Sequence, residues 1–412
     1  MPETDIIPHL FRSEYRKIIA VLSRKFGFDQ IEKVEDIASE TFLLAAETWG
    51  LKGLPKNPTA WLYTVAKNKA VDSIRHSKIY NNKIFNEIRA EISEKNEIEI
   101  DLTTKNITDS QLQMMFAICH PSIPVEAQIG LSLSILCGFG TEEIAEAFLT
   151  TKEAIYKRLA RAKERLRIEK VTLEFPSPSQ INERLDAVLT TLYLFFSEGY
   201  YSNANNVTLR KDFCIEAMRL NLMLLENEQT DTPAANALLS LMCFHSSRFE
   251  ARIDQKGDLI LYEDQDESLW NVELITKGEY FLNNSSTGRN LSKYHLEAAI
   301  AYWHTKKTDS VEKWENILQL YNKLLQIEYS PIAALNRTYA LAKANGTEKA
   351  IVEAEKLNLL DNHLYHNLLG KLFEEIDYKK SLEHLNLALK LSKKDTEKAL
   401  ILSNINRIES LL

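Results

Sequence analysis

An all-α chain of several helical domains is predicted by three observations. Glycine and proline are scarce, 12 and 10 among 412 residues, while Leu, Ala, Glu, Lys and Asn dominate, so helix is the default. Between those breakers apolar residues recur at helical spacing. The length suits two or three domains. One stretch departs from the helical period: Ala251 to Tyr262 predicts a small β-hairpin turning at Asp254 to Gly257.

The first domain is expected over 8–89. Leu10, Phe11, Ile18, Ile19, Leu22 and Phe26 mark a helix from Pro8 to Phe26. A second runs from Val34 to Trp49, with Ile37, Phe42, Leu44, Ala45 and Trp49 available for packing and Glu35, Asp36 and Glu40 presented outward. Gly50 to Lys56 is loop chemistry. Asn57 and Pro58 then start a helix through His76, the first by capping orphan amides, the second by its fixed φ. Leu62, Tyr63, Ala66, Ala70 and Ile74 fall on one apolar side. Trp61, Val65, Asn68, Asp72 and Arg75 line another, which is either a binding surface or a solvated face with a weak Asp72/Arg75 pair.

The net charge of −8 excludes a protein that coats nucleic acid over its whole surface. Lys52, Lys56, Lys67, Lys69, Arg75, Lys78, Lys83 and Arg89 nevertheless form a local basic excess, the signature of a polyanion partner. Residues 90–107 reverse it with Glu91, Glu94, Glu97, Glu99 and Asp101, and are expected to be a flexible acidic linker.

A second domain is expected over 108–170. It breaks at His120 to Pro124 and resumes from Val125 to Leu136. Thr141 is placed as N-cap of a short helix, Glu142 to Phe148, carrying Ile144, Ala145 and Phe148. The turn Leu149 to Thr151 leads into a basic helix, Lys152 to Arg167. These are the proportions of a helix-turn-helix. Ala154, Ile155, Leu159, Ala162 and Leu166 pack inward, leaving Lys152, Glu153, Tyr156, Lys157, Arg158, Arg161, Lys163 and Arg165 toward solvent or DNA. A solvated helix end has the same charge pattern, but the short helix and turn before it favour DNA.

Cys119, Cys137, Cys214 and Cys243 are widely spaced and expected to be buried thiols in a reducing compartment. Cys119-His120 has no second pair at zinc-site spacing, so neither a metal nor another cofactor is expected. The beginning, Met1-Pro-Glu-Thr-Asp, lacks signal-peptide features, and no run reaches the ~18 apolar residues of a membrane span. A soluble, cytoplasmic protein without membrane partners is the expectation.

Glu35-Asp-Ile-Ala-Ser-Glu-Thr-Phe42, Asn57 to Asp72, and Thr141 to Phe148 with its basic helix stand in the order of an extracytoplasmic-function sigma factor of bacterial RNA polymerase, which the chain resembles. The resemblance implies transcription initiation with RNA polymerase core and promoter DNA as partners, and no catalysis by this chain. Asp36, Glu40 and Phe42 would contact core polymerase. The loop Leu51 to Asn57 with Trp61, Asn68, Lys69, Arg75 and His76 would read the melted −10 element, where an aromatic and amide-bearing surface offsets unstacking. Lys152, Glu153, Tyr156, Lys157, Arg158 and Arg161 would meet the −35 duplex, Glu153 and Arg158 reading base edges. Ser39 stands where the family usually has Gln.

The larger second half carries the net acidity. A linker is expected over 171–179, around Phe175-Pro-Ser-Pro-Ser179, then a helical domain over 180–290 with helices near 180–197, 208–226 and 234–248. Glu198, Gly199 and Tyr200 open a polar, aromatic loop, the candidate regulatory loop. Asp266 caps a helix through Leu269 and Trp270. Over 291–412 a shift of 34 residues pairs Leu335 with Leu369, Tyr339 with Phe373, Ala354 with Ala388 and Leu357 with Leu391, the tetratricopeptide period, which predicts stacked helix pairs. Phe196 to Tyr200, Leu259 to Asp266 and Ser330 to Asn336 resemble the sigma-factor subfamily with a tetratricopeptide-containing carboxyl extension. That extension is expected to regulate the factor through a protein or ligand partner. The alternative is a protein-binding adaptor whose sigma-like half has lost promoter recognition. A hydrolase using Glu198, His245 or Asp264 has no nucleophile-base spacing behind it.

Overall fold

Side-chain acceptors and glycines set where most helices begin and end. The computed structural model describes residues 6–85, 100–201, 207–252, 260, 262–288, 290–393 and 395–411, the side chains of 77–85, 201, 207–210 and 395–396 excepted. Helix dominates these residues, and no strand occurs among them. The chain divides into two compact units, Met1–Thr230 and Asp231–Leu412.

In the first unit, α1 (Ile6–Phe26) and α2 (Ile31–Lys52) end at glycines with positive φ, Gly27 at 83° and Gly53 at 78°, where a side chain would be strained. α3 (Pro58–Phe85) starts where Asn57 Oδ1 accepts the Ala60 N–H at 3.0 Å. Leu62, Ala66 and Ala70 are fully buried against α1 and α2, with Tyr63 and Ile74 half-buried, so the apolar side of α3 is the one the spacing predicts. The expected acidic linker is shorter at its far end: residues 104–107 are the first turn of α4 (Thr104–Ile118), with Ile107 buried. Asp101 anchors that turn by accepting the Thr103 amide at 2.9 Å. Linker residues 90–99 lie outside the described residues.

α5 (Val125–Leu131) runs into a π turn at Ser132–Leu136, followed by α6 (Thr141–Ala147) and α7 (Lys152–Ile168). Thr141 is inside α6 rather than capping it. The cap position is Gly140, whose N–H donates to Glu143 Oε2 at 2.8 Å. α8 (Ile181–Tyr201) and α9 (Val207–Leu225) complete the unit. Thr191 on α8 donates to Gln128 Oε1 of α5 at 2.6 Å, and the rings of Phe213 on α9 and Phe139 lie 4.8 Å apart. The expected linker 171–179 is therefore inside the first unit: Leu173 is buried and Phe175 lies 5.6 Å from Phe116. Glu198, Gly199 and Tyr200 are not a loop but the last turns of α8. Tyr200 is buried and stacks on Phe196 one turn earlier, at 5.7 Å, and that continued apolar stripe outweighs the roughly 1 kcal/mol that one glycine costs a helix.

The second unit holds α10 (Pro233–Ser246), α11 (Phe249–Arg252), α12 (Val272–Ser285), α13 (Lys293–Trp303), α14 (Val311–Ile327), α15 (Pro331–Asn345), α16 (Thr347–Leu357), α17 (His363–Phe373), α18 (Tyr378–Leu391) and α19 (Asp395–Glu409). From α12 on, each helix packs on the next. Leu335 and Leu369, the pair at the 34-residue shift, share one core with Ala350 and Ala354. Gly370 lets α17 and α18 approach: a Cβ there would stand 2.7 Å from Leu385 Cγ, and Ser381 donates to the Gly370 carbonyl at 2.6 Å.

Most of the expected β-hairpin, residues 253–259 and 261, lies outside the described residues; among the described ones no strand occurs, Ala251 and Arg252 are helical and Tyr262–Asp264 is a 3-10 turn. The chain does return there, since the Ile260 N–H donates to the Arg252 carbonyl at 2.8 Å. Asp266 caps only a 3-10 turn, Glu267–Leu269, and Asn271 caps the true helix, α12.

Candidate nucleic-acid interface

The face of α2 opposite its core carries Asp36 and Glu40, both exposed. Phe42 does not join them. It is 4 % exposed and packs edge-on against Phe11 at 5.1 Å, so it fixes α2 to α1. Leu44, expected to pack, is instead 37 % exposed, and its neighbour Leu43, at 60 %, is one that sequence reasoning missed. With Asp36 and Glu40 at helical spacing they form an acidic-apolar stripe, and two leucines on a polar helix face are the signal that could have revealed it.

On α3, Asn68, Arg75 and His76 are exposed, with Arg75 Nη1 3.9 Å from Asp72. Lys69 donates to Glu40 Oε2 at 2.7 Å, which joins an expected DNA contact to an expected polymerase contact. Trp61 is half-buried, edge-on to Trp49 at 5.3 Å, with its position held by α2. Before it, the Leu51 side chain, at the end of α2, is almost wholly solvated. Tyr63 donates to Glu14 of α1 at 2.5 Å. Burial and that carboxylate push its phenol well above the ordinary value, so it stays a donor to α1 within the domain.

α7 follows α6 through a tight turn in which Leu149 takes a left-handed φ of 48°. Thr151 Oγ1 accepts the Ala154 N–H at 3.2 Å and starts the helix. Ile155, Leu159, Ala162 and Leu166 are buried, which leaves Lys152, Glu153, Tyr156, Lys157 and Arg161 exposed. Arg158 is half-buried, its guanidinium 5.8 Å from the Phe148 ring, a cation-π contact that stiffens the turn. Lys152 is joined to Glu142 at 2.5 Å.

Long-range ion pairs, invisible to spacing arguments, hold this unit together. On α7, Lys163 reaches Glu35 and Arg167 reaches Glu32, both on α2. On α1, Arg12 binds Glu143 of α6 at 2.9 Å and Asp212 of α9 at 3.1 Å, while Arg16 binds Glu216 of α9 at 2.5 Å. Arg219, beside Glu216, also donates to the Leu136 carbonyl at 2.9 Å. The rear of the basic helix is thus neutralised by α2, and its front is open.

All four cysteines are buried free thiols; burial pushes Cys119 and Cys243 up to about 12. No group of side chains able to hold a metal ion, and no helix long and apolar enough to cross a membrane, occurs among the described residues.

Residues 10–79 match the Sigma-70 region 2 family, a non-catalytic module that contacts RNA polymerase and DNA. Residues 184–286 match a family of unknown function, DUF6596. No solved structure matches the chain. An uncharacterized protein of Rhizobium meliloti (strain 1021) is 31 % identical over 353 residues, 85 % of this chain and 83 % of that protein. With that identity over most of both lengths, the chain belongs to the same family as the Rhizobium meliloti protein.

Proposed function

We propose that the chain is an alternative sigma factor of the extracytoplasmic-function type, directing bacterial RNA polymerase to specific promoters under control of a tetratricopeptide-like carboxyl extension. The observation that carries the reading is α7: a basic helix with an open front, set behind a tight turn, in a chain that also carries a region 2 domain. Lys157 and Arg161 supply phosphate contacts and Glu153, Tyr156 and Arg158 face base edges. Trp61, Asn68, Arg75 and the Leu51 side chain receive the melted −10 strand. The stripe Asp36, Glu40, Leu43 and Leu44 docks on the polymerase, with Lys69 of α3 exchanging Glu40 for a phosphate.

Regulation follows from α8 and α9, which belong to the extension by sequence but pack within the first unit. Through Asp212, Glu216 and Arg219, α9 holds α1 and the end of the π turn. The stacked helix pairs from α13 to α18 then serve as the partner-binding part of the extension.

The test is transcription by purified core polymerase with the full-length protein on fragmented genomic DNA, followed by sequencing of the transcripts. Start sites sharing one −35 and −10 pattern are expected, and none with an Arg158→Ala/Arg161→Ala variant. Replacing Arg161 alone should lower the slope of log affinity against log salt by about 1. Transcripts indistinguishable from those of core polymerase alone would sink the reading.

A further inference from the structure

The second unit contains a cavity of about 460 Å³, within the range of small-molecule sites. Its walls come from the α10–α11 junction, the 3-10 turn at Tyr262, and helices α13, α14, α15 and α17. Tyr262, Trp314 and Tyr339 give it aromatic surface, and Leu335, Ile332 and Leu364 add apolar surface.

Its charges do not balance. Glu263 is occupied, accepting from Tyr339 at 2.5 Å and from Lys371 at 3.2 Å. Asp309 is likewise taken by Lys343 at 2.8 Å and by the Trp314 indole N–H. That leaves Arg248, 8 % exposed, as the lining cation that makes no ion pair among the described residues; Lys313, 2 % exposed, stands next to Trp314 outside the lining. Lys313 donates to the Tyr262 hydroxyl at 3.0 Å and to the Lys306 carbonyl, and Asp309 lies close enough to attract its charge. Arg248 lines the cavity 5.4 Å from the Tyr262 ring centroid, and its Nε is buried without a hydrogen-bond partner. His304 lines the same cavity, packs edge-on to Tyr262 at 5.0 Å, and has a buried Nδ1 that also lacks a partner. Burial first, then Arg248 and Lys313, push this imidazole down to about 3, so it is neutral and adds no charge. Exposed Glu267 adds a weaker attraction for Lys313 but forms an ion pair with neither cation.

A buried guanidinium without an ion-pair partner is costly, and a ring quadrupole offsets only part of that cost. A bound anion would remove the imbalance and satisfy Arg248 Nε and His304 Nδ1 together. We infer that this cavity is a binding site for a small organic anion, its carboxylate or phosphate held by Arg248 and His304 and its planar body resting on Tyr262, Trp314 and Tyr339. The inference concerns the second unit alone and stands or falls independently of the sigma-factor reading. If both are right, the extension senses a metabolite-sized acid.

The experiment is calorimetric titration of the full-length protein with benzoate, phenyl phosphate and inorganic phosphate, with benzamide and benzylamine as neutral and cationic controls. Benzoate or phenyl phosphate should bind saturably at one site and raise the unfolding temperature, the tighter of the two identifying the head group. Benzamide and benzylamine should do neither. Arg248→Gln should weaken binding at least tenfold. Because Arg248 is buried and its loss can unfold the unit, Leu364→Trp supplies a second arm: it fills the rim without touching a cation, and should abolish binding while leaving the ligand-free circular dichroism unchanged. No binding by either aryl anion below about 10 mM overturns the proposal. So does equal binding by benzamide, or unaltered binding in Leu364→Trp. Inorganic phosphate binding as tightly as phenyl phosphate overturns the aromatic half of the site. An acidic peptide with a free terminal carboxylate binding where both aryl anions fail replaces the small molecule with a protein partner.

Discussion

Lys163 on α7 donates to both carboxylate oxygens of Glu35 on α2, at 2.6 and 2.7 Å, although the two residues are 128 apart in sequence. Arg167 does the same with Glu32, at 2.9 and 2.7 Å. Acidic α2 thus holds the rear of the basic helix expected to meet DNA.

Releasing that hold should cost stability and increase DNA affinity. Glu32→Gln/Glu35→Gln is expected to lower the unfolding free energy by about 1–2 kcal/mol, between the values of exposed and buried pairs. It should tighten binding to a short duplex several-fold at low salt, the gain fading as salt screens it. Urea melts and fluorescence anisotropy measure the two effects. Unchanged low-salt affinity would mean that the α2 carboxylates do not compete with phosphate.

Phe42 and Leu43 are adjacent and should behave as opposites. Phe42→Ala removes a buried ring and is expected to cost about 3–5 kcal/mol. Leu43→Ser/Leu44→Ser should leave stability within about 0.5 kcal/mol per site and reduce co-elution with core polymerase. If the double variant co-elutes like the parent, the exposed stripe is not the docking face.

Glu216 sets an acid limit on the first unit. Burial raises its carboxyl pKa, but Arg219 and Arg16 outweigh burial and hold it below its ordinary 4.5. A depressed folded pKa contributes stability that is present above the unfolded value and lost as pH falls through the folded one. Unfolding free energy should therefore drop as pH goes below about 4.5, and Glu216→Gln should be less stable near neutrality with a flatter acid limb. Parallel acid limbs in parent and variant would remove Glu216 from the account.

Leu149 holds a conformation that suits glycine. Leu149→Gly should be neutral or stabilising by up to about 1 kcal/mol, whereas Leu149→Val should be destabilising by more than about 1 kcal/mol. Calorimetry on the full-length protein reads both, and a stabilised valine variant would contradict the strain argument.

Helix periodicity located most elements because each buries an apolar stripe at its own spacing: Leu62, Ala66 and Ala70 on α3, and Ile155, Leu159, Ala162 and Leu166 on α7, lie where the pattern puts them. Local chemistry misled where a tertiary partner decided the outcome. Gly199 suggested a break, but burial of Tyr200 against Phe196 carries α8 through it. The expected strands near 251–262 fall mostly outside the described residues, and the described flanks are helical turns. The exposed residues of α7 were legible from charge and spacing. The ion pairs behind them were not, because no periodicity relates Glu35 to Lys163 or Arg16 to Glu216.

Arg16 and Glu216 are 200 residues apart, and this separation also bears on synthesis. Domains begin to fold as they leave the ribosome, and contacts distant in sequence form late. α1 leaves well before α9, so Arg12 and Arg16 wait, still solvated, until Asp212 and Glu216 emerge. The helix made early is among the last to be fastened, and a chain interrupted before α9 would leave the Arg16 guanidinium of α1 without the carboxylate that holds it in the finished unit.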